Sequence, residues 1–174
     1  MSNALVKFIM TKSVSKFIKL NICILTISDS REEKNDESGD LLVNRLQKAG
    51  HTLYSRSIAI DEIDEITIKL KTWINDPDVN IIITTGGTGI TKRDVTPEAI
   101  KPLLDKTIPG IEESIRSYGL NRTRYAMLSR SVVGIKKSTL VLALPGSTKG
   151  ALESINAIFP EVLHLFDILK GAKH

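Results

Sequence analysis

Short β-branched runs alternate with stretches of helical periodicity along this chain, and that alternation constrains the fold more than any other feature. Residues 18–27 (IKLNICILTI) read as a buried strand, rich in Ile and Leu and closed by Ser28-Asp29-Ser30. Residues 31–39 are a charged loop ending in Ser38-Gly39. Over residues 40–49, Leu42, Leu46 and Ala49 share one helical face, and Gly50 stands where a helix stop is favoured. Residues 52–60 are a second, more loosely patterned strand. Asp61 follows as a helix cap or as a carboxylate of a site, ahead of the stripe Ile63, Ile66, Leu70, Trp73 and Ile74. Residues 79–85 (VNIIITT) form the clearest strand. Thr96-Pro97-Glu98 predicts a helix start with Thr96 as cap, and Pro102 keeps that helix short or bends it. Residues 109–118 predict a helix with Ile111, Ile115 and Tyr118 on one face, stopped by Gly119. A last apolar strand, Thr139–Leu144, ends at Pro145-Gly146. Leu152, Ile155, Phe159, Val162, Leu163 and Phe166 then line a C-terminal helix kinked at Pro160.

This order predicts an α/β three-layer sandwich, with a mostly parallel central sheet covered by helices on both faces. The 174 residues suit one domain. No repeat or linker divides it, so residues 18–174 form a single unit behind a basic extension, residues 1–17. Cys23 is the only cysteine, which excludes an intrachain disulfide or a cysteine-built zinc site and fits a reducing cytosol. Its place inside an apolar strand makes it a small core residue. The net charge of +4 suits phosphate-bearing small molecules, and with only eight aromatic residues it falls short of a nucleic-acid surface. Lysines interrupt the apolar patch of the first twenty residues, and no stretch approaches the roughly 18 apolar residues of a membrane span. The expectation is a cytoplasmic protein with no nucleic-acid or membrane partner.

In such sheets, ligands bind beyond the carboxyl ends of the strands. Three strand ends carry small or polar loops: Ser28-Asp29-Ser30, Gly86-Gly87-Thr88-Gly89 and Pro145-Gly146-Ser147-Thr148-Lys149-Gly150. Glycines allow close backbone approach, and a helix N-terminus offers free N–H groups to an anion. Three such loops on one edge point to a phosphate-bearing ligand. Neither the Walker A loop nor the G-x-G-x-x-G fingerprint is present. Asp29, Asp36, Asp61, Asp94 and Glu98 accompany the loops, as oxygen ligands accompany Mg²⁺ beside phosphates. Asp94 could instead serve the helix dipole, but its place directly after the glycine turn favours function. His51, His164 and His174 are scattered along the sequence, which argues against a metal or triad role. Lys136 and Lys137 mark an exposed turn.

Thr85-Gly86-Gly87-Thr88-Gly89 followed by Asp94-Val95-Thr96-Pro97-Glu98-Ala99 resembles the molybdenum-cofactor biosynthesis family that includes MoaB, MogA and the G domains of gephyrin and the plant Cnx proteins. Ala126-Met127-Leu128-Ser129-Arg130-Ser131 and Pro145-Gly146-Ser147 look like its next two motifs, and Ser28-Asp29 and Asp36-x-Ser38-Gly39 add two more. The likeness runs from about Asn21 to the C-terminus. It implies a molybdopterin-binding, MogA-like fold. In catalytic members it implies adenylylation of molybdopterin, whose terminal phosphate attacks the α-phosphate of Mg·ATP and releases pyrophosphate.

By that resemblance, Asp94 is the leading Mg²⁺-linked catalytic carboxylate and Asp61 the second. Gly86, Gly87, Thr88 and Gly89 would hold phosphate through backbone N–H groups. Ser28, Asp29, Asp36, Ser38 and Gly39 would line the nucleotide and pterin pockets from the first loop. Pro97, Glu98, Ser129, Arg130 and Ser131 would do so from the middle of the chain, and Pro145, Gly146, Ser147 and Lys149 from the last loop. The adenylyltransferase branch commonly carries a proline two residues after Pro-Gly of the last motif. Ser147-Thr148-Lys149 looks instead like the MoaB branch. The alternative is therefore a non-catalytic pterin- or nucleotide-binding carrier of the same pathway. The resemblance further implies a homotrimer or a dimer of trimers, and other proteins of molybdenum cofactor biosynthesis as partners.

Overall fold

The structure is a computed structural model that describes residues 17–171. Six strands among them are β1 (Asn21–Ile27), β2 (Thr52–Ala59), β3 (Ile81–Thr85), β4 (Lys106–Thr107), β5 (Val133–Lys136) and β6 (Thr139–Leu144). They form one sheet in the order β2-β1-β3-β6-β5-β4. The first four in that order pair in parallel, and β5 and β4 close the edge in antiparallel. The helices are α1 (Glu37–Lys48), α2 (Ile63–Ile74), α3 (Thr96–Ile100), α4 (Pro109–Leu120), α5 (Thr148–Ile158) and α6 (His164–Leu169). This is the mostly parallel α/β sandwich that the alternation predicts.

Because side chains alternate across a strand, each central strand feeds two cores. Ile22 and Ile24 of β1 pack with Ile81, Ile83, Leu140 and Leu142 under α1, α4 and α5. Cys23 and Leu25 pack with Ile82 and Val141 under α2 and α3, where Trp73 also lies. Strands buried on both faces read as near-continuous apolar runs, broken here only by threonines such as Thr26 and Thr84. Burial pushes the Cys23 thiol up to about 12. Thiol reagents at pH 8 should leave the folded protein unmodified and label Cys23 only in denaturant, which a time course of mass spectra would follow.

Several element ends depart from the sequence expectation. α1 starts before residue 40, because the Asp36 carboxylate accepts the Gly39 N–H at 3.0 Å and caps the helix; Ser38 and Gly39 lie in its first turn, not in a loop. Glu62, not Asp61, precedes α2, and no side chain caps it; Ile63 is exposed, so the buried stripe begins at Ile66. Thr96 lies within α3, and its buried hydroxyl donates to the Gly86 carbonyl at 2.9 Å instead of capping. Pro102 does end that helix within two residues. α4 runs through Gly119 to Leu120 and fully buries only Ile115, with Ile111 and Tyr118 half-buried. Pro160 separates rather than kinks: α5 stops at Ile158 and α6 is a distinct helix. β4 and β5 escape sequence reading, since two exposed residues and a four-residue VGIK run are too short to show a period. Lys137 sits in the β5–β6 turn and Lys136 ends β5. The basic extension lies, apart from Phe17, outside the described residues. No helix among the described residues is long and apolar enough to cross a membrane.

Candidate functional site

The register sets the site. Thr26 of β1, Thr85 of β3 and Leu144 of β6 stand level, so the loops after these strands share one edge. From that edge the chain passes to α1 and α5 on one face but to α3 on the other, which opens a crevice on each side of β3.

The glycine turn fills the point between them. Gly86 has φ +117°, and a Cβ there would lie 2.1 Å from the Ile27 carbonyl oxygen; its N–H donates to Leu144 O at 3.1 Å. Gly87 follows at φ +62°. Only glycine fits a backbone wedged between β1 and β6 in this conformation. The Thr85 hydroxyl ties the turn to Pro145 O at 2.8 Å. Among the described residues, the N–H groups of Gly87 and Thr88 donate to no protein group, although Thr88 is only 4% exposed. Unpartnered backbone donors in so enclosed a place suit an anionic ligand.

Two cavities meet at this turn. One, about 490 Å³, has a largely apolar wall from α4 and the segment after it, including Ile115, Tyr125 and Leu128, and reaches Ser129 and Ser147. The other, about 390 Å³, is polar and lined by Ser28, Arg31, Asp61 and Arg93 among others. Gly87, Asp94 and Gly146 line both.

The expected site residues divide by position. Gly86 to Gly89, Asp61, Asp94, Ser28, Ser129, Pro145, Gly146 and Ser147 line one or both cavities. Ser147 also caps α5, accepting the Gly150 N–H at 3.1 Å, while Lys149 is exposed on the first turn. Asp36 lies beneath the site, wholly buried, and accepts from Thr26, Gly39, Ser38, Arg31 and Arg56. Arg130 braces the glycine loop: its Nε donates to Gly89 O at 2.6 Å, and its other nitrogens reach Asp94 O and Glu98. Ser131 is buried and hydrogen-bonded to Ser129, and Pro97 is buried in α3. Asp29 pairs with Arg93.

Four carboxylates near the edge have different electrostatics. Burial would raise Asp94, but the hydroxyl and N–H of Thr91, the Gly89 N–H and Arg130 outweigh it and hold the group ionised below the usual range. The Arg93 guanidinium, then the Asp61 N–H, lowers Asp29. For Asp36, burial is likewise outweighed, here by Thr26, Arg56 and Gly39. Asp61 goes the other way: burial, then the charges of Asp29 and Asp94, push it up. The Arg93 charge and the Asp29 N–H oppose this rise without cancelling it. No cluster of three or more metal-ligating side chains occurs among them, so a fully protein-held ion does not fit. Asp61 and Asp94, which line the same polar cavity, are the carboxylates that would face an ion carried in on a polyphosphate.

A carboxyl raised by folding weakens the native state once ionised, and the penalty disappears below the unfolded pKa near 4. Asp61→Asn should therefore raise the melting temperature by about 1–3 °C at pH 7, with the gain fading near pH 4. Parallel calorimetry of the two proteins measures this. A neutral-pH loss of stability would show that Asp61 serves the fold.

Sequence reasoning did not find Arg31 and Arg93 in the polar cavity, or Ile115, Arg116, Gly119 and Tyr125 in the other. Arg93 adjoins Asp94 and could have been found from that motif. The α4 residues gave no local signal, because only the packing of α4 on α5 brings them to the site.

A family model described as a probable molybdopterin binding domain matches residues 23–164. The chain belongs to this family, the MoaB and MogA family of molybdenum cofactor biosynthesis proteins. It is 40% identical over 164 residues to molybdenum cofactor biosynthesis protein B of Staphylococcus epidermidis, covering 89% of this chain and 92% of that protein. It is 37% identical over 153 residues to the molybdenum cofactor biosynthesis bifunctional protein of Chlorobaculum tepidum, covering 87% of this chain but only 49% of that protein's length. A crystal structure of molybdenum cofactor biosynthesis protein B matches with a TM-score of 0.83 at 39% identity, over 89% of this chain and 98% of that one.

Proposed function

We propose that the chain binds molybdopterin and ATP in the two joined cavities and transfers the adenylyl group to the pterin's terminal phosphate. A pterin phosphate oxygen forms the new bond to the α-phosphorus, and the bond to the β-phosphate oxygen breaks, releasing pyrophosphate. The shared seam carries this reading: Gly87, Asp94 and Gly146 border both cavities, so ligands in the two spaces would have their reacting groups side by side. The apolar cavity suits a fused-ring heterocycle and the polar one a polyphosphate. Transfers of this type need positioning and charge neutralisation more than a protein nucleophile. Magnesium bound with the nucleotide would supply part of that neutralisation, beside Asp61 and Asp94.

Incubating the purified chain with molybdopterin, ATP and Mg²⁺ should yield adenylylated pterin and pyrophosphate in equal amounts. Binding of both ligands without product would overturn transfer and leave the carrier role. Tyr125 (80% exposed), Met127 and Leu128 form an apolar rim beside the larger cavity, which supports burial against further copies of the chain. Hydrodynamic mass of a trimer or a hexamer is the expected result, and a monomer mass would refute the assembly.

A further inference from the structure

The polar cavity carries a charged strap that the reaction as stated does not use. The guanidinium of Arg93, just after the glycine turn, forks onto Asp29: Nη2 lies 2.7 Å from both carboxylate oxygens and Nε lies 3.0 Å from Oδ2. Its Nη1 donates to Glu62 Oε1 at 2.7 Å. The loops after β1, β2 and β3 are thereby joined by one side chain that itself lines the cavity. Asp61 is part of the same array, because its N–H donates to Asp29 Oδ1 at 3.2 Å.

Two basic side chains line this cavity, and they differ in how firmly they are held. Arg31 donates to the wholly buried Asp36 and to Ser38, and also reaches Gly146 O at 3.4 Å. Arg93 is about half exposed, as are both acids it holds. Solvent screens pairs this exposed, and a guanidinium fork takes phosphate in the same charge-assisted geometry in which it takes a carboxylate, against a larger negative charge. An entering polyphosphate therefore competes for Arg93 on favourable terms. Asp29, once released, is an ionised carboxylate beside Asp61.

We infer that Arg93 is an exchangeable phosphate ligand: it neutralises Asp29 and Glu62 until a nucleotide enters, then moves its fork to the polyphosphate and frees Asp29 to face the accompanying divalent cation. This rests only on the nucleotide half of the proposed function and needs no turnover. It makes the roles of Arg93 and Asp29 opposite. Arg93 serves the phosphate directly, while Asp29 competes with phosphate in the absence of cation and assists binding in its presence.

Calorimetric titration of the full chain with ATP, inorganic tripolyphosphate and adenosine, each with and without Mg²⁺, separates these roles in wild type, Arg93→Ala, Arg93→Lys and Asp29→Asn. Arg93→Ala should weaken ATP and tripolyphosphate roughly ten- to hundredfold and leave adenosine unchanged. Arg93→Lys should fall between, since it keeps the charge but not the fork. Asp29→Asn should bind ATP without Mg²⁺ at least as tightly as wild type and lose most of the gain that Mg²⁺ brings. Equal weakening by Arg93→Ala and Asp29→Asn, adenosine included, would mean that the strap merely fixes the loops and would overturn the inference while nucleotide binding stands. Folded wild type that binds no ATP would overturn both the inference and the nucleotide half of the function. If Arg93→Ala fails to fold, the Arg93→Lys and Asp29→Asn titrations still decide.

Discussion

Asp36→Ala should cost about 3–5 kcal/mol of unfolding free energy, the expected loss when one member of a buried ion pair is deleted. The carboxylate is wholly buried, and the substitution strands Arg56, whose Nη2 lies 2.7 Å from it, along with Arg31 and the Thr26 hydroxyl at 2.6 Å. It also uncaps α1. At about 2–4 °C per kcal/mol for a chain of this size, the melting temperature should fall by roughly 10 °C. Urea unfolding followed through Trp73, the single tryptophan, gives the free energy directly. Because folding lowers the Asp36 pKa, its contribution is complete above the ordinary aspartate value near 4 and is lost as pH falls through the lower native value. The gap between wild type and Asp36→Ala should therefore close in acid. A loss under about 1 kcal/mol at pH 7 would show that the two arginines find other partners.

Asp94→Asn should reduce the proposed adenylyl transfer by at least about 10²-fold while the fold survives. The substitution keeps the shape of a group that accepts from the Thr91 N–H at 2.8 Å and the Thr91 hydroxyl at 2.6 Å, but removes charge where the two cavities meet. Single-turnover measurements with saturating ligands separate a chemical defect from a binding defect. An unchanged rate would remove Asp94 from the reaction and assign it to bracing the glycine loop.

The central parallel strands were legible because burial on both faces forces largely apolar runs such as Ile81–Thr85. Helix starts were less legible. Asp36 and Thr96 both have side chains suited to capping, and only the tertiary setting decides that Asp36 caps while Thr96 bonds to Gly86 O. The glycine and hydroxyl content of three loops was also readable, but their meeting was not. It depends on β1, β3 and β6 being neighbours, which alternation along the chain does not specify. Arg56, which holds the Asp36 carboxylate at 2.7 Å, lies on β2 and gives no sign of that pairing in its own neighbourhood.

The glycine turn has backbone on both sides: the Ile27 carbonyl faces Gly86 from β1, and Gly146 lies against it from the loop after β6. The floor of the site is thus made of the same material as the centre of the sheet, and neither can be revised without the other. The pliable part is the wall from α4 and the segment after it, built from side chains such as Arg116 and Tyr125 that no sheet hydrogen bond holds in place. A descendant that acquired a taste for a different heterocycle would have to rewrite that wall and leave the floor untouched.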